Sequence, residues 1–168
     1  MSVDWAEVYR TTYRDVVRYL YRKVWDEDRA QDLAQEVFVR VLDDAPDNPR
    51  AWLFTVAANL ARDEARTVIR RKKHLTLIKA ETEEAAPASD PIETLDLEAK
   101  RNDARRALDE LSERDREVLL LWDAGLSYTE IAERTGLAAG AIGTTLSRAR
   151  RRLVEAFDAL EEKHVARG

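Results

Sequence analysis

The chain has no cysteine. That excludes disulfide frameworks, thiolate nucleophiles and cysteine-held zinc. Its two histidines, His74 and His164, lie far apart, so no imidazole cluster suggests a metal or a proton relay. Glycine is equally scarce: there are five, none before Gly125, and four of them fall at 125, 136, 140 and 143. No glycine-rich phosphate loop, metal-ligand spacing or nucleophile arrangement can be written from this inventory. The chain is therefore expected not to be an enzyme and to need neither cofactor nor metal. No apolar run is long enough for a transmembrane helix. The opening Met1-Ser2-Val3-Asp4-Trp5 lacks the basic-then-apolar pattern of a secretory signal. A cytoplasmic protein without membrane insertion is expected. Strand patterns are missing too, since no stretch alternates apolar and polar residues.

What remains is a helix-forming chain of 168 residues, 45% hydrophobic and 36% charged. That length suits one ordinary domain or two small ones. The formal net charge of −5 is uneven. Residues 1–75 hold 14 Lys and Arg against 13 Asp and Glu, and residues 101–168 hold 12 against 13. Residues 76–100 hold 2 against 7, so the middle segment carries the whole imbalance. The expected architecture is all-α: two small helical domains, 1–75 and 101–168, joined by a flexible acidic linker over 76–100, the second containing a helix-turn-helix. The stretch Thr76 to Asp90, rich in Glu, Ala and Thr with Pro87 and Ser89, has the composition of a tether.

In the first half, Val8, Val16, Leu20 and Val24 recur at helical spacing and predict a helix from about Asp4 to Trp25. A second, from about Asp28 to Leu42, buries Leu33, Val37 and Val41 with Ala30, Ala34 and Phe38. The loop Asp43 to Pro49 is dense in turn residues. Pro49 suits the first turn of a third helix, where a missing N–H costs nothing. That helix runs through Leu53, Val56, Ala57, Leu60 and Ala61. It is expected to end in the basic tract Arg66, Arg70, Arg71, Lys72, Lys73 and His74. In the second half, helices are expected from about Pro91 to Leu111 and from Ser112 to Asp123, the latter capped by Ser112 with acidic residues in its first turn.

Two more helices follow, and their spacing is informative. Ala132 is small enough for another helix to cross close by, and Gly136 supplies the positive φ of a tight turn. Ile142 fills the gap between the helices, with Ile131, Leu137 and Leu146 completing a small core. On the last helix Ile142, Leu146, Ala149 and Leu153 share one face. Thr144, Thr145, Ser147, Arg148 and Arg151 lie mostly off it, suited to phosphates and base edges in a major groove.

Specific segments carry a family resemblance. Leu111 to Leu121, Gly125 to Ala132 and Leu146 to Leu153 are similar to the promoter-reading C-terminal domain of bacterial sigma factors. Asp32-Leu33-Ala34-Gln35-Glu36-Val37-Phe38-Val39-Arg40-Val41-Leu42 resembles the sigma segment that docks on RNA polymerase. Pro49 to Asp63 resembles the following helix, which reads and opens the −10 element. Both patterns occur in order, across residues 5–75 and 100–155, in the short layout of the extracytoplasmic-function (ECF) group. One departure stands out: where that family commonly places Lys or Arg in its recognition helix, this chain has Gly143, Thr144 and Thr145.

The resemblance implies a sigma factor that binds core RNA polymerase and directs initiation at promoter DNA through −10 and −35 elements. It implies a polymerase-binding face of Asp32, Gln35, Glu36 and Arg40. It implies −10 contacts from Asn48, Arg50, Trp52, Asn59, Arg62, Arg66, Arg70 and Arg71, with the loop Asp44 to Arg50 as a pocket wall for an extruded base. Phe54 reads as core, whereas Trp52 fits core packing and base stacking equally. It implies −35 contacts from Tyr128, Thr129, Ala139, Thr144, Ser147, Arg148 and Arg151, and an anti-sigma factor as a regulatory partner. A simple duplex-binding regulator would share the helix-turn-helix but have no use for the Asp32 to Arg62 pattern. A helical adaptor would need no Arg148–Arg152 cluster.

Overall fold

The computed structural model describes residues 2–79 and 92–168, with side chains over 2–75 and 96–168. The described residues form seven helices and no strand. The chain clusters into two units, Met1–Ser89 and Asp90–Gly168.

Unit 1 is built from α1 (Trp5–Val24), α2 (Glu27–Val41) and α3 (Pro49–Lys79), each packed on the other two. Asp4 and Trp25, expected as the ends of the first helix, are its caps. The Asp4 side chain accepts from the Glu7 N–H, and the Trp25 N–H donates to the Tyr21 carbonyl. Trp25 is the only non-glycine residue at positive φ among those described, at 57°. That conformation costs a side chain about 1–2 kcal/mol, offset here by packing of its ring on Tyr21 at a centroid distance of 5.7 Å. The turn it makes lets Asp26 cap α2 at once, accepting from the Arg29 N–H.

The core lies where the apolar spacing places it: Val16 and Leu20 from α1, Leu33, Val37 and Val41 from α2, and Leu53, Phe54 and Ala57 from α3 are all buried. Phe54 is fully buried and meets Tyr19 edge-on at 5.3 Å, a favoured aromatic arrangement. Two ion pairs tie α3 to its neighbours. Glu64 accepts from Arg29 Nε at 2.7 Å and Nη2 at 2.6 Å, joining α2 to α3. Asp15 accepts from Arg50 Nη2 at 3.0 Å, joining α1 to α3.

Unit 2 comprises α4 (Ile92–Asp109), α5 (Glu113–Asp123), α6 (Tyr128–Thr135) and α7 (Ala139–Arg167). The long α7 organises it, packing on α4, α5 and α6. Ser112 caps α5. Ser127 and Glu130 form a reciprocal capping box on α6, each side chain accepting the other's backbone N–H. Gly136 ends α6 at φ 76°, as the turn requires. Ile131, Ile142, Leu146 and Ala149 are fully buried or nearly so, joined by Leu121 and Leu126.

The segment between the units differs from the sequence expectation. Residues 76–100 are not all connector, because α3 continues to Lys79 and α4 already begins at Ile92. Residues 80–91, the middle of the expected linker, and with them the expected helix start at Pro91, lie outside the described residues. The basic tract therefore sits within α3 and does not end it, since Arg, Lys and Leu are good helix formers and nothing through residue 79 breaks the run.

Candidate nucleic-acid interface

On α3, Pro49 and Arg50 follow Asn48, whose side-chain oxygen accepts from the Ala51 N–H at 3.1 Å and so caps the helix. This fixes the start of a face that α3 keeps from Trp52 to Arg70. Trp52, Asn59, Arg62, Arg66 and Arg70 are all exposed and are spaced to fall on one side of the helix. At about 1.5 Å per residue they form a track about 27 Å long. Trp52 begins the track. The residue is 38% exposed and so is not part of the buried core. The ring is steadied because its Nε1 donates to Asp44 Oδ2 at 2.8 Å. The Asp44 carbonyl in turn accepts from Trp5 Nε1 at 3.1 Å. Asp44 thus fixes both the loop and the tryptophan, a role the sequence reading missed. Asp44 stands eight residues before Trp52 but 39 after Trp5, so no local pattern signals the role.

Two expected DNA residues are partly committed elsewhere. Arg50 is half-buried and engaged with Asp15, and the Asn48 oxygen is used in capping. Arg71 is exposed but falls about a quarter turn off the track, on the side of Glu64, whose carboxyl it helps to hold in its charged form.

On α2, Asp32, Glu36 and Arg40 share one exposed face, with Glu36 accepting from Arg40 at 2.7 Å. Gln35 stands at its edge, donating to the hydroxyls of Tyr9 at 3.1 Å and Tyr13 at 3.4 Å. Those tyrosines stack at 4.8 Å, so α1 braces the face. Val39 and Leu42, 66% and 58% exposed, lie among these polar groups. Sequence reasoning passed over them because apolar residues were assigned to the buried stripe.

In unit 2, α7 presents Thr144, Ser147 and Arg151 outward, all exposed. Thr145 is a correction: expected off the core face, it is 6% exposed. It points toward α5, between the buried stripe and the outward face. One flank of the outward face is aromatic. Tyr128 and Trp122 lie 5.3 Å apart, and Arg150 sits 5.7 Å from the Trp122 ring. The Tyr128 ring covers Gly143, where an added Cβ would meet it at 3.5 Å. The other flank is ionic. Arg148, expected to face DNA freely, instead donates to Asp115 at 2.8 Å and 3.2 Å through Nη2 and Nε. This pairing holds the Asp115 carboxyl below its ordinary pKa, through the Arg148 hydrogen bonds above all and against the effect of burial. Thr129 and Ala139 are exposed at the starts of α6 and α7. The α7 N-terminus has no side-chain cap, and its Ala141 N–H donates to the Ala138 carbonyl at 2.9 Å.

Among the described residues no three His, Asp or Glu side chains converge as metal ligands, and no helix is long and apolar enough to cross a membrane. What the units present is an aromatic ring leading an arginine track, and a helix-turn-helix with an outward polar face. Groups of these kinds suit contacts with nucleic acid.

Comparison with known proteins agrees with this geometry. Residues 8–71 match the model for sigma-70 region 2, and residues 101–153 match that for sigma-70 region 4. The chain is 30% identical over 150 residues to the RNA polymerase sigma factor YlaC of Bacillus subtilis, covering 86% of each chain. It is 36% identical over 132 residues to the ECF RNA polymerase sigma factor EcfG of Rhodopseudomonas palustris, covering 75% of this chain and 70% of that one. Among solved structures it resembles the sigma factor RpoE of Bartonella quintana, in complex with the anti-sigma factor NepR, with TM-score 0.57 and 27% identity over 92% of this chain and 97% of that one. It also resembles CnrH, in complex with the cytosolic domain of CnrY, with TM-score 0.64 and 25% identity over 92% of this chain and 88% of that one.

Proposed function

The chain belongs to the ECF group of bacterial RNA polymerase sigma factors, directing promoter-specific transcription initiation, and we propose how its residues divide that work. Unit 1, with its working part in residues 1–75, docks on core polymerase and opens the −10 element. Unit 2, with its working part in residues 101–168, reads the −35 element. The chain acts in the cytoplasm and performs no catalysis of its own, since sigma factors are not enzymes as a family.

Docking uses Asp32, Glu36 and Arg40 around the exposed Val39 and Leu42, with Gln35 braced by Tyr9 and Tyr13. Such a mixed face suits a protein partner, since apolar contacts give affinity and the charges set register. Opening uses Trp52 as a platform for an unstacked base, with Asn48 and the Asp44 to Arg50 loop beside it. The phosphates then follow Asn59, Arg62, Arg66 and Arg70 along α3, with Arg71 and Arg50 at the margins. In unit 2, Thr144, Ser147 and Arg151 face the groove while Tyr128, Thr129 and Ala139 approach the backbone.

The observation that carries this reading is the single exposed line from Trp52 to Arg70. An exposed aromatic ring followed by a line of cations on one helix suits an unstacked base and its phosphates, which is what supports the reading. The docking face also suits an anti-sigma factor; the similar sigma factor RpoE is solved in complex with one, NepR. Covering Val39 and Leu42 would keep polymerase away.

Run-off transcription with purified core polymerase tests the proposal. The chain should co-elute with core and start transcripts at promoters bearing both elements. Co-elution without promoter-specific starts would remove the DNA roles, and absence of both would remove the docking role as well.

A further inference from the structure

Asp115 carries a negative charge in a place that requires an explanation. It lies in the first turn of α5, where acidic residues usually complement the helix dipole from solvent. Its side chain is instead 1% exposed. A carboxylate so buried is stable only when paired and hydrogen-bonded. Arg148 pairs with it through two hydrogen bonds, at 2.8 Å from Nη2 and 3.2 Å from Nε. Arg152, one turn further along α7, brings Nη1 to 3.5 Å from Oδ2. Arg114 Nε lies 3.8 Å from Oδ1. One carboxylate therefore grips two successive turns of α7.

We propose that Asp115 is a specificity-determining positioning residue: it fixes the roll of α7 and withholds Arg148 and Arg152 from DNA phosphates. This rests on the reading of unit 2 as the −35 module. The geometry of α7 gives both effects. Arg148 and Arg152 face α5, on one side of the outward face made by Thr144, Ser147 and Arg151. Rotating α7 to free the two arginines would carry that polar face away from the groove. The carboxylate already occupies the Nε and Nη2 donors of Arg148, which therefore gains little from a phosphate, and its charge holds Arg152 on the same side of α7. Phosphate contacts raise affinity for any sequence, whereas base-edge contacts discriminate. Holding two arginines back therefore lowers indiscriminate binding and leaves discrimination to the small outward residues. This gives a physical reason for an α7 with few free cations in a protein that must find one promoter among many sites.

The test uses the full chain. Binding to a random-sequence duplex is followed by fluorescence anisotropy across a NaCl series. Asp115→Asn, which removes the charge and keeps the shape, should bind that duplex severalfold more tightly. Its log-log salt slope should steepen by about one to two, at about 0.9 per phosphate neutralised. With core polymerase, the ratio of transcription from an intact −35 element to a scrambled one should fall at least about fivefold. Asp115→Glu keeps the charge and should restore most of that ratio. Arg152→Gln, at a side chain 53% exposed, avoids any risk to folding and should leave the salt slope of the wild type unchanged. A loss of about one in that slope would mean Arg152 already binds phosphate, and the proposal would be wrong. It would be equally wrong if Asp115→Asn weakened both measurements together without steepening the slope, the signature of a residue that only supports the fold. If the wild type transcribes equally from intact and scrambled −35 elements, the −35 reading itself fails, while the salt slopes still decide whether Asp115 withholds the arginines.

Discussion

Unit 1 ties α3 to its neighbours through separate ion pairs. Arg29 with Glu64 and Arg50 with Asp15 each join two helices, and the arginines further along α3 are left exposed. Unit 2 gathers Arg114, Arg148 and Arg152 on a single buried carboxylate and leaves Arg151 outward. The difference fits the division of work proposed for the two surfaces. A strand that must be kept apart needs many phosphate contacts along a line, and a long helix with free arginines supplies them. A duplex that must be discriminated needs few, accurately aimed groups, and a clamped helix supplies those. Charge composition does not show this contrast, because residues 1–75 and 101–168 are both close to neutral.

The largest effects should separate the units by their cores. Phe54→Ala removes a fully buried ring and should cost about 3–5 kcal/mol, so co-elution with core polymerase and all transcription should be lost. Ile142→Ala, also fully buried, should cost about 2–5 kcal/mol yet spare co-elution through α2. Loss of co-elution in Ile142→Ala would show that the units do not divide the work as proposed.

Next in size is Trp52→Ala. Loss of one base-stacking contact, about 1–3 kcal/mol, should reduce permanganate reactivity of the −10 region about 10- to 100-fold without altering binding to core. Unchanged reactivity would return Trp52 to a packing role.

Acid should loosen both units through their paired carboxylates. Glu64 is held below its ordinary 4.5, first by the hydrogen bonds from Arg29, and Asp115 below its ordinary 3.8, first by those from Arg148. A carboxylate lowered in the folded state adds stability that is complete above its unfolded pKa and is lost as pH falls through the folded value. Both contributions should be intact near neutrality. That of Glu64 should begin to fade below about 4.5, and that of Asp115 below about 3.8. Thermal melts from pH 7 to 2 should show a shallower acid decline in Glu64→Gln and in Asp115→Asn than in the wild type. Parallel curves would leave these pairs no part in it.

The smallest effects should have opposite signs within one motif. Gly136→Ala places a Cβ at φ 76° and should destabilise by about 1–2 kcal/mol. Gly143→Ala meets the Tyr128 ring at 3.5 Å, an ordinary contact, and should gain up to about 1 kcal/mol from helix propensity. Thermal melts of the two variants measure both, and a destabilised Gly143→Ala would mean that the Tyr128 ring cannot tolerate the added methyl.

Much of this was legible in advance. Periodic apolar residues gave the helices and named Phe54, Leu33 and Ile142 as core, because burial of a helix face depends on spacing of 3.6 residues, a local property. Pro49, Ser112 and Gly136 marked ends and turns for equally local reasons. The line from Trp52 to Arg70 could be counted off by the same rule once α3 was known to be unbroken. What escaped were choices between partners. Trp52 fitted core or platform until Asp44 and its hydrogen bond settled the ring's exposure. Thr145 was assigned outward because it lies near the boundary between faces, where which side is covered depends on the neighbouring helix.

The sequence by itself determined that this protein is helical, that it has two working segments, and which family patterns those segments carry, since these follow from residue types and their intervals along the chain. Only the tertiary structure decided which charges are free. Arg148 and Arg151 are three positions apart and chemically identical. One is bound to Asp115, 33 residues away in sequence, and the other faces outward, because α5 covers one side of α7 and leaves the other open.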